Sequence, residues 1–257
     1  MSTSNKTVYF LTGANRGIGF EFAKKLSSLE DTFLIATARD PQKATELNEL
    51  ASKTGNIKVI ALDASSEESI STIGTQLETL APYGVDYFIS NAGIALASAY
   101  DPVIKVPKSV WIDHYTTNTI GPILLTQQLY PHLLKKQTRK IHFVSSQVGS
   151  IGGFLPVSVS AYGQSKAALN YTINTLALEL GPEGFIIIAV HPGLVKTSMG
   201  NAGVSFFKDK DAELAKSMED GMIEVADTAA QQVELMQKVT REDNGKFFNY
   251  DGSIAEW

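Results

Sequence analysis

The chain predicts an α/β protein: a doubly wound parallel sheet of about seven strands, in one domain over residues 1–257. Three observations lead there. Short β-prone runs alternate with helical patterns along the whole length, as βαβ units do. The runs are apolar end to end rather than alternating, which suits strands covered on both faces. The first run is followed by a glycine-rich turn that opens an amphipathic helix.

In order, residues 7–11 form the first strand, broken by Thr12 and Gly13. Residues 17–29 place Ile18, Phe22, Ala23 and Leu26 on one helical face. Residues 32–37 are the second strand; Pro41 suits a first helical turn, continued over 43–53. Residues 57–62 are the third strand, closed by Asp63, and Ser66 begins a helix that runs to about Leu80. Residues 85–90 are the fourth strand. The stretch 97–107 has two prolines and no period, and reads as a loop. A long helix over 109–136 is expected to bend near Gly121 and Pro122. Residues 140–145 are the fifth strand, 149–159 are glycine-rich and irregular, and 161–180 are a helix ended by Gly181 and Pro182. Residues 185–190 are the sixth strand, stopped at Pro192 and Gly193. Residues 200–210 read as a loop or mobile lid, 227–239 as a helix, and 246–248 as a last short strand.

Composition narrows the function. The chain of 257 residues is long enough for a sizeable core, and 44% hydrophobic with 19% charged residues is ordinary for a globular protein. Net charge is −5, and the densest basic cluster, Lys135, Lys136, Arg139 and Lys140, suits a helix C-terminus, so nucleic acid is not an expected partner. The absence of cysteine excludes disulfides, thiolate metal sites and cysteine nucleophiles. No His-Glu-x-x-His or similar spacing points to a metal. The polar start leads straight into a strand, no apolar run approaches the ~18–20 residues of a membrane span, and a cytoplasmic protein without membrane association is expected.

In a doubly wound sheet, ligands bind beyond the carboxyl ends of the strands. After strand one come Thr12, Gly13, Asn15, Arg16, Gly17, Ile18 and Gly19, spaced G-x-x-x-G-x-G. Gly13 permits the tight turn, and the helix it opens offers N-terminal amides to a pyrophosphate. No Gly-Lys-Ser/Thr ending is present, so this is a dinucleotide turn rather than a P-loop. At the end of strand two, where an NAD site places an acid, stands Ala38, followed by Arg39, with Arg16 nearby. Two guanidinium groups suit a 2′-phosphate, which points to NADP(H); Asp40 is the residue that would take the acid's place if the strand ended later. Asp63 is placed to accept from an adenine amino group. Asn91, Ala92 and Gly93 let backbone lie against the cofactor, and Pro192, Gly193, Val195 and Thr197 form a turn that can hold a nicotinamide amide. Tyr162 and Lys166, four apart, share a helix face, since four residues turn about 400°. The ammonium is expected to pull the phenol down from its ordinary pKa of about 10, making it a general acid.

With these motifs in this order over almost the whole length, the chain resembles the short-chain dehydrogenase/reductase family and its Rossmann-like fold. The turn at His191-Pro192-Gly193 and the stretch 245–252 resemble the carbonyl-reductase branch that includes C-factor-like proteins and fungal ketoreductases. The resemblance implies that Tyr162 is the general acid in carbonyl reduction and the base in alcohol oxidation. It implies that Lys166 tunes Tyr162 and binds the nicotinamide ribose, that Ser146 donates to the substrate oxygen, and that Asn118 holds a water in a proton relay from Lys166. Ser146 rather than Ser145 matches the family's Ser-x-x-Gly pattern, through Gly149. The resemblance also implies a homodimer or homotetramer in many members and a monomer in others.

The implied function is NADPH-dependent reduction of a small-molecule carbonyl substrate. Its alternatives are a non-catalytic NADP-binding sensor on the same fold and an alcohol dehydrogenase working oxidatively. The substrate pocket is expected to draw on Ala95, Leu96, Ser98, Phe154, Leu155, Met199 and a lid over 204–207, which suits uncharged ketones or aldehydes. His114 and His132 read as surface or packing residues, His142 as structural, and His191 as a support behind the site.

Overall fold

The computed structural model describes residues 3–257. Its strands are β1 (Thr7–Leu11), β2 (Thr32–Ala38), β3 (Ile57–Ala61), β4 (Tyr87–Ser90), β5 (Lys140–Val144), β6 (Ile186–His191) and β7 (Phe247–Asn249). They form one sheet in the order β3-β2-β1-β4-β5-β6-β7, every neighbouring pair parallel. The chain winds outward from β1 to β3, then returns to β4 on the other side of β1. The sheet's switch point therefore lies between β1 and β4, where a crevice opens beyond the strand ends.

The helices are α1 (Gly17–Ser27), α2 (Thr45–Thr54), α3 (Glu67–Ser71), α4 (Ile73–Leu80), α5 (Lys108–Tyr115), α6 (Gly121–Leu134), α7 (Ser160–Leu180), α8 (Ser198–Lys208), α9 (Ala212–Asp220) and α10 (Val225–Lys238). Alternation along the strands divides their side chains between two cores. Val8, Phe10, Phe88 and Phe143 pack with Leu77 of α4, Leu125 and Leu129 of α6, and Leu169 and Ile173 of α7. Tyr9, Leu11, Leu34 and Ala36 pack on the other face with Phe22 and Leu26 of α1, Leu47 of α2, and Val233 and Met236 of α10. Among the described residues, no helix is long and apolar enough to cross a membrane.

Three local expectations are corrected. Residues 200–210 are not a loop: α8 covers Ser198–Lys208, and the Thr197 hydroxyl caps it by accepting from Gly200 N at 3.1 Å. Val204 and Phe207, three apart, are buried on one face, with Phe207 against Tyr100 and Ala215, so packing overrides the weak helix propensity of two glycines. The long helix, expected to bend near Gly121 and Pro122, is interrupted by a π turn over Thr116–Ile120 closed by Gly121 N on Thr116 O. The stretch 97–107 contains two 3₁₀ turns, Ala97–Tyr100 and Val103–Lys105.

The π turn is locked against α7. Thr119 Oγ1 donates to Ser165 O at 2.8 Å and Asn118 Nδ2 donates to Ser165 Oγ at 3.0 Å. On another side, Gly121 lets the start of α6 lie against the segment after β3, because a Cβ there would sit 2.1 Å from the Ala64 carbonyl oxygen. Gly121→Ala is expected to lower stability by about 1–3 kcal/mol through overpacking, read as a lower denaturant midpoint in chemical unfolding; an unchanged midpoint would show that the π turn can yield.

Candidate active site

A cleft of about 920 Å³ opens over the switch point, walled by the exits of β1 to β6. Its floor is the glycine turn. Gly13 has a left-handed φ of +66°, and its amide donates to Thr37 Oγ1 at 3.3 Å. A Cβ on Gly19 would lie 2.1 Å from Gly13 O, so α1 starts in direct contact with the turn. Thr12 does not reach the cleft. It is fully buried, and its Oγ1 accepts from the backbone amides of Asn91 and Ala92, both at 2.9 Å. Asn91 Nδ2 donates to Thr12 O at 2.9 Å and Gly13 O at 3.2 Å. These bonds brace the exits of β1 and β4 against each other.

Asn15, Arg16, Gly17, Ile18 and Gly19 line the cleft, with Arg39, Asp63, Asn91, Ala92, Gly93, Pro192, Thr197, Tyr162 and Lys166. Arg16 and Arg39 are exposed. β2 ends at Ala38, a buried residue, so no carboxylate stands at the strand end. Asp40 lies beyond it as the cap of a 3₁₀ turn, accepting from Gln42 N at 3.1 Å and pairing with Lys43 at 3.0 Å. That turn brings Lys43 into the cleft wall as a third cation, with its partner Asp40 lining the cleft beside it. Asp63 Oδ1 accepts from Ser65 N at 2.9 Å and Ser65 Oγ at 2.7 Å. Partial burial pushes the Asp63 carboxyl up, but the Ser65 bonds and the Arg39 charge outweigh it, and its pKa is lowered. Gly193 and Val195 stand behind the wall: a Cβ on Gly193 would meet Ile223 at 2.2 Å, and Val195 is buried in a bridge to Ile223.

At the other end, β5 delivers two serines to different duties. Ser145 Oγ donates to Asn170 Oδ1 of α7 at 2.5 Å. Ser146 is buried and hydrogen-bonds the Tyr162 phenol, but it is Ser145, not Ser146, that is among the residues lining the cleft. Lys166 is buried, and its Nζ donates to Val144 O at 2.9 Å while lying 6.0 Å from the Tyr162 ring centre. Desolvation lowers Lys166 to about 8. The expected downward pull on Tyr162 is reversed. Burial, then the charge of a deprotonated Tyr100, push its phenol up to about 12, and only the Ser146 hydrogen bond opposes them. The Lys166 ammonium, hydrogen-bonded to Val144 O, is not among the groups that move the phenol.

Asn118 is fully buried and does not line the cleft. Its Oδ1 accepts from Ile94 N at 2.8 Å and its Nδ2 donates to Ile94 O at 2.9 Å and to Ser165 Oγ. A Cβ on Gly93 would lie 3.1 Å from Asn118 Oδ1 and 3.8 Å from Lys166 Nζ, so Asn118 and Lys166 meet across that glycine. Of the expected substrate residues, Leu96 and Met199 line the cleft. Phe154 and Leu155 are 70% and 41% exposed on the loop between β5 and α7, while Val204 and Phe207 belong to the core.

Several cleft residues were not legible beforehand: Thr37, Lys43, Ser65, Ile94, Thr116 and Thr117. The four-residue spacing of Arg39 and Lys43 was the available signal for one of them. His114 is also more than packing. It is fully buried, its Nδ1–H donates to Val110 O at 2.7 Å, and its Nε2 accepts from Leu96 N at 3.1 Å. Its ring meets Tyr162 edge-on, with centroids 6.5 Å apart.

This fold and cleft define an oxidoreductase. The chain belongs to the short chain dehydrogenase family, whose model matches residues 7–205. It is 44% identical to an uncharacterized oxidoreductase of Saccharomyces cerevisiae over 257 residues, 98% of each chain. An uncharacterized oxidoreductase of Schizosaccharomyces pombe is 40% identical over 254 residues, 99% of each chain. Among solved structures, it resembles the NADPH-bound carbonyl reductase from chicken fatty liver, with a TM-score of 0.85 and 31% identity, covering 98% of this chain and 100% of the other. The carbonyl reductase Sniffer of D. melanogaster gives a TM-score of 0.85 and 28% identity, covering 98% and 99%.

Two buried imidazoles make stability depend on pH. Desolvation lowers both His142 and His191 to about 4. The unfolded chain binds those protons near pH 6.5, so stability is full above that pH and is lost as pH falls towards 4, by up to about 3 kcal/mol for each group. Urea midpoints measured from pH 7 to 4.5 are expected to fall over this window, and His142→Asn to flatten part of the decline.

Proposed function

We propose that this chain reduces ketones or aldehydes to alcohols with NADPH, Tyr162 acting as the general acid. One observation carries the reading: a phenol that keeps its proton, hydrogen-bonded to the buried Ser146 hydroxyl, and a buried ammonium stand at one end of a cleft whose other end gathers Arg16, Arg39 and Lys43, with Ala38 rather than a carboxylate ending β2 and Asp40 paired with Lys43. The likeness to a carbonyl reductase bound to NADPH supports it.

The residues fit NADP(H). The close contact of Gly13 and Gly19 leaves the glycine turn and the start of α1 open to a pyrophosphate. Arg16, Arg39 and Lys43 suit a 2′-phosphate, with Asp40 occupied by its own turn. Asn91, Ala92, Gly93, Pro192 and Thr197 form the wall for the nicotinamide half. When bound, NADPH supplies the hydride.

The protein's part is to place and protonate the substrate oxygen. Ser146 and Tyr162 donate hydrogen bonds to it, stabilising the negative charge that builds there. Tyr162 Oη then gives up its proton. A phenol near 12 still transfers downhill, because an alkoxide is comparable to hydroxide, whose conjugate acid water has a pKa of about 15.7. The same raised pKa disfavours the oxidative direction, in which Tyr162 must first lose its proton. Lys166, largely charged at neutral pH with a value of about 8, is placed to hold the nicotinamide ribose. Asn118 holds Ile94 and Ser165, and through Ser165, which donates to Tyr162 O at 2.7 Å, keeps the catalytic turn in register. Ile94, Leu96 and Met199 make an apolar rim suited to uncharged carbonyl compounds.

The test is NADPH oxidation over a panel of ketones and aldehydes. Tyr162→Phe is expected to lower kcat by about 10²–10⁴-fold while NADPH still binds; unchanged turnover would overturn the mechanism. Arg39→Ala is expected to raise KM for NADPH about ten-fold and leave KM for NADH alone. Equal or better use of NADH by the parent protein would refute the 2′-phosphate reading. Binding of NADPH without turnover across the panel would favour a cofactor sensor.

A further inference from the structure

A buried chain of side chains runs from the middle of the sheet to the turn after β6. Thr228 Oγ1 donates to Pro192 O at 2.7 Å, Gln232 Nε2 donates to Thr228 Oγ1 at 2.9 Å, and His142 Nε2 lies 3.1 Å from Gln232 Oε1. Thr228, Gln232 and His142 are all buried, at 0%, 0% and 1% exposure. The direction of every proton follows from the carbonyl end. Pro192 O can only accept, so the Thr228 hydroxyl spends its proton there and must itself accept. Gln232 therefore turns its amide nitrogen to Thr228 and its oxygen to His142, which must donate from Nε2.

The same segment reaches both walls of the cofactor cleft. Ala229, Val233 and Met236 of α10 pack with Phe22, Ala23 and Leu26 of α1, the helix that the glycine turn opens. Just before α10, Ile223 N donates to Leu194 O at 2.8 Å and Lys196 N donates to Ile223 O at 2.9 Å, holding the 192–197 turn a second time. The His142 ring stands edge-on to Phe22, with centroids 6.1 Å apart. The turn at Pro192 and the start of α1 are thus both referred to α10. Thr228 and Gln232 lie beyond residue 205, outside the stretch that the family model matches.

We infer that Thr228 and Gln232 are positioning residues for the cofactor: through Pro192 O they set the nicotinamide-side wall at a fixed distance from the glycine turn. This rests on the reading of the cleft as an NADP(H) site. Removing the Thr228 hydroxyl leaves Pro192 O without its donor and the fully buried Gln232 Nε2 without its acceptor. The turn must then shift to find replacements, and the cleft loses its preformed width.

The experiment is a fluorescence titration of the full chain with NADPH and NADH, beside a melting curve for each variant. Thr228→Val keeps the shape and loses the hydroxyl; its Kd for NADPH is expected to rise on the order of ten-fold. Thr228→Ser keeps the donor and is expected to stay within about two-fold of the parent. Gln232→Leu is expected to weaken binding, and the Thr228→Val, Gln232→Leu pair to be no weaker than about two-fold beyond Thr228→Val alone, because the two act as one chain. A folded Thr228→Val that binds NADPH within about two-fold of the parent, or a Thr228→Ser as weak as Thr228→Val, would overturn the inference. If Thr228→Val does not fold, Gln232→Leu decides by the same criterion. A parent protein that binds neither NADPH nor NADH refutes the reading of the cleft, and this inference with it.

Discussion

The inner end of the cleft depends on where one buried ammonium group is held. Among the described residues, Lys166 Nζ forms no ion pair with a carboxylate; a single backbone carbonyl, Val144 O, takes its hydrogen bond. That bond requires the exit of β5 to lie directly against the second turn of α7. The contact is so close that a Cβ on Gly149 would sit 2.7 Å from the Lys166 backbone. The same approach brings Ser146 to Tyr162. Ser165, the residue before Lys166, carries the register outward by donating to Tyr162 O and accepting from Asn118. Asn118, Tyr162 and Lys166 are therefore fixed relative to one helical turn rather than to one another through loops.

The cleft divides into two electrostatic regimes. Its outer end is wet, where Arg16, Arg39 and the Lys43–Asp40 pair face solvent, and its guanidinium groups suit the phosphate of the proposed cofactor through charge and planar hydrogen bonding. Its inner end is desolvated, and there burial decides protonation: the phenol of Tyr162 moves up and the amine of Lys166 moves down, each towards its neutral form. In the reaction we propose, a neutral proton donor suits giving a proton to a developing alkoxide. Between the two regimes, the Thr12 hydroxyl and the Asn91 amide tie β1 to β4, so the switch point opens without the strands separating.

Much of this was legible because the signals were local. Seven apolar runs became seven strands, with ends displaced by at most about two residues. The glycine turn, the two arginines and the Tyr162 and Lys166 spacing are likewise read within short windows. Other features were hidden because they depend on contacts distant in sequence. α8 forms because Phe207 finds Tyr100, more than a hundred residues earlier, although Gly200 and Gly203 weaken its own propensity. Lys43 enters the cleft only because Asp40 caps a turn. The π turn around Asn118 answers to Ser165 on another helix, and His114 was unreadable until Leu96 folded back on it.

The sequence by itself determined the fold class, the strand order in the chain, the family resemblance and which residue types stand at each strand exit. Those follow from hydrophobic periodicity, backbone permissiveness at glycine and side-chain chemistry, all of which are properties of neighbours along the chain. Only the tertiary structure decided that Ser145 serves Asn170 while Ser146 serves Tyr162, that Thr12 braces the sheet instead of facing the cleft, and that the phenol's pKa rises instead of falling. Desolvation and hydrogen-bond partnership are set by what packs around a group from every side, and a linear pattern does not carry that information.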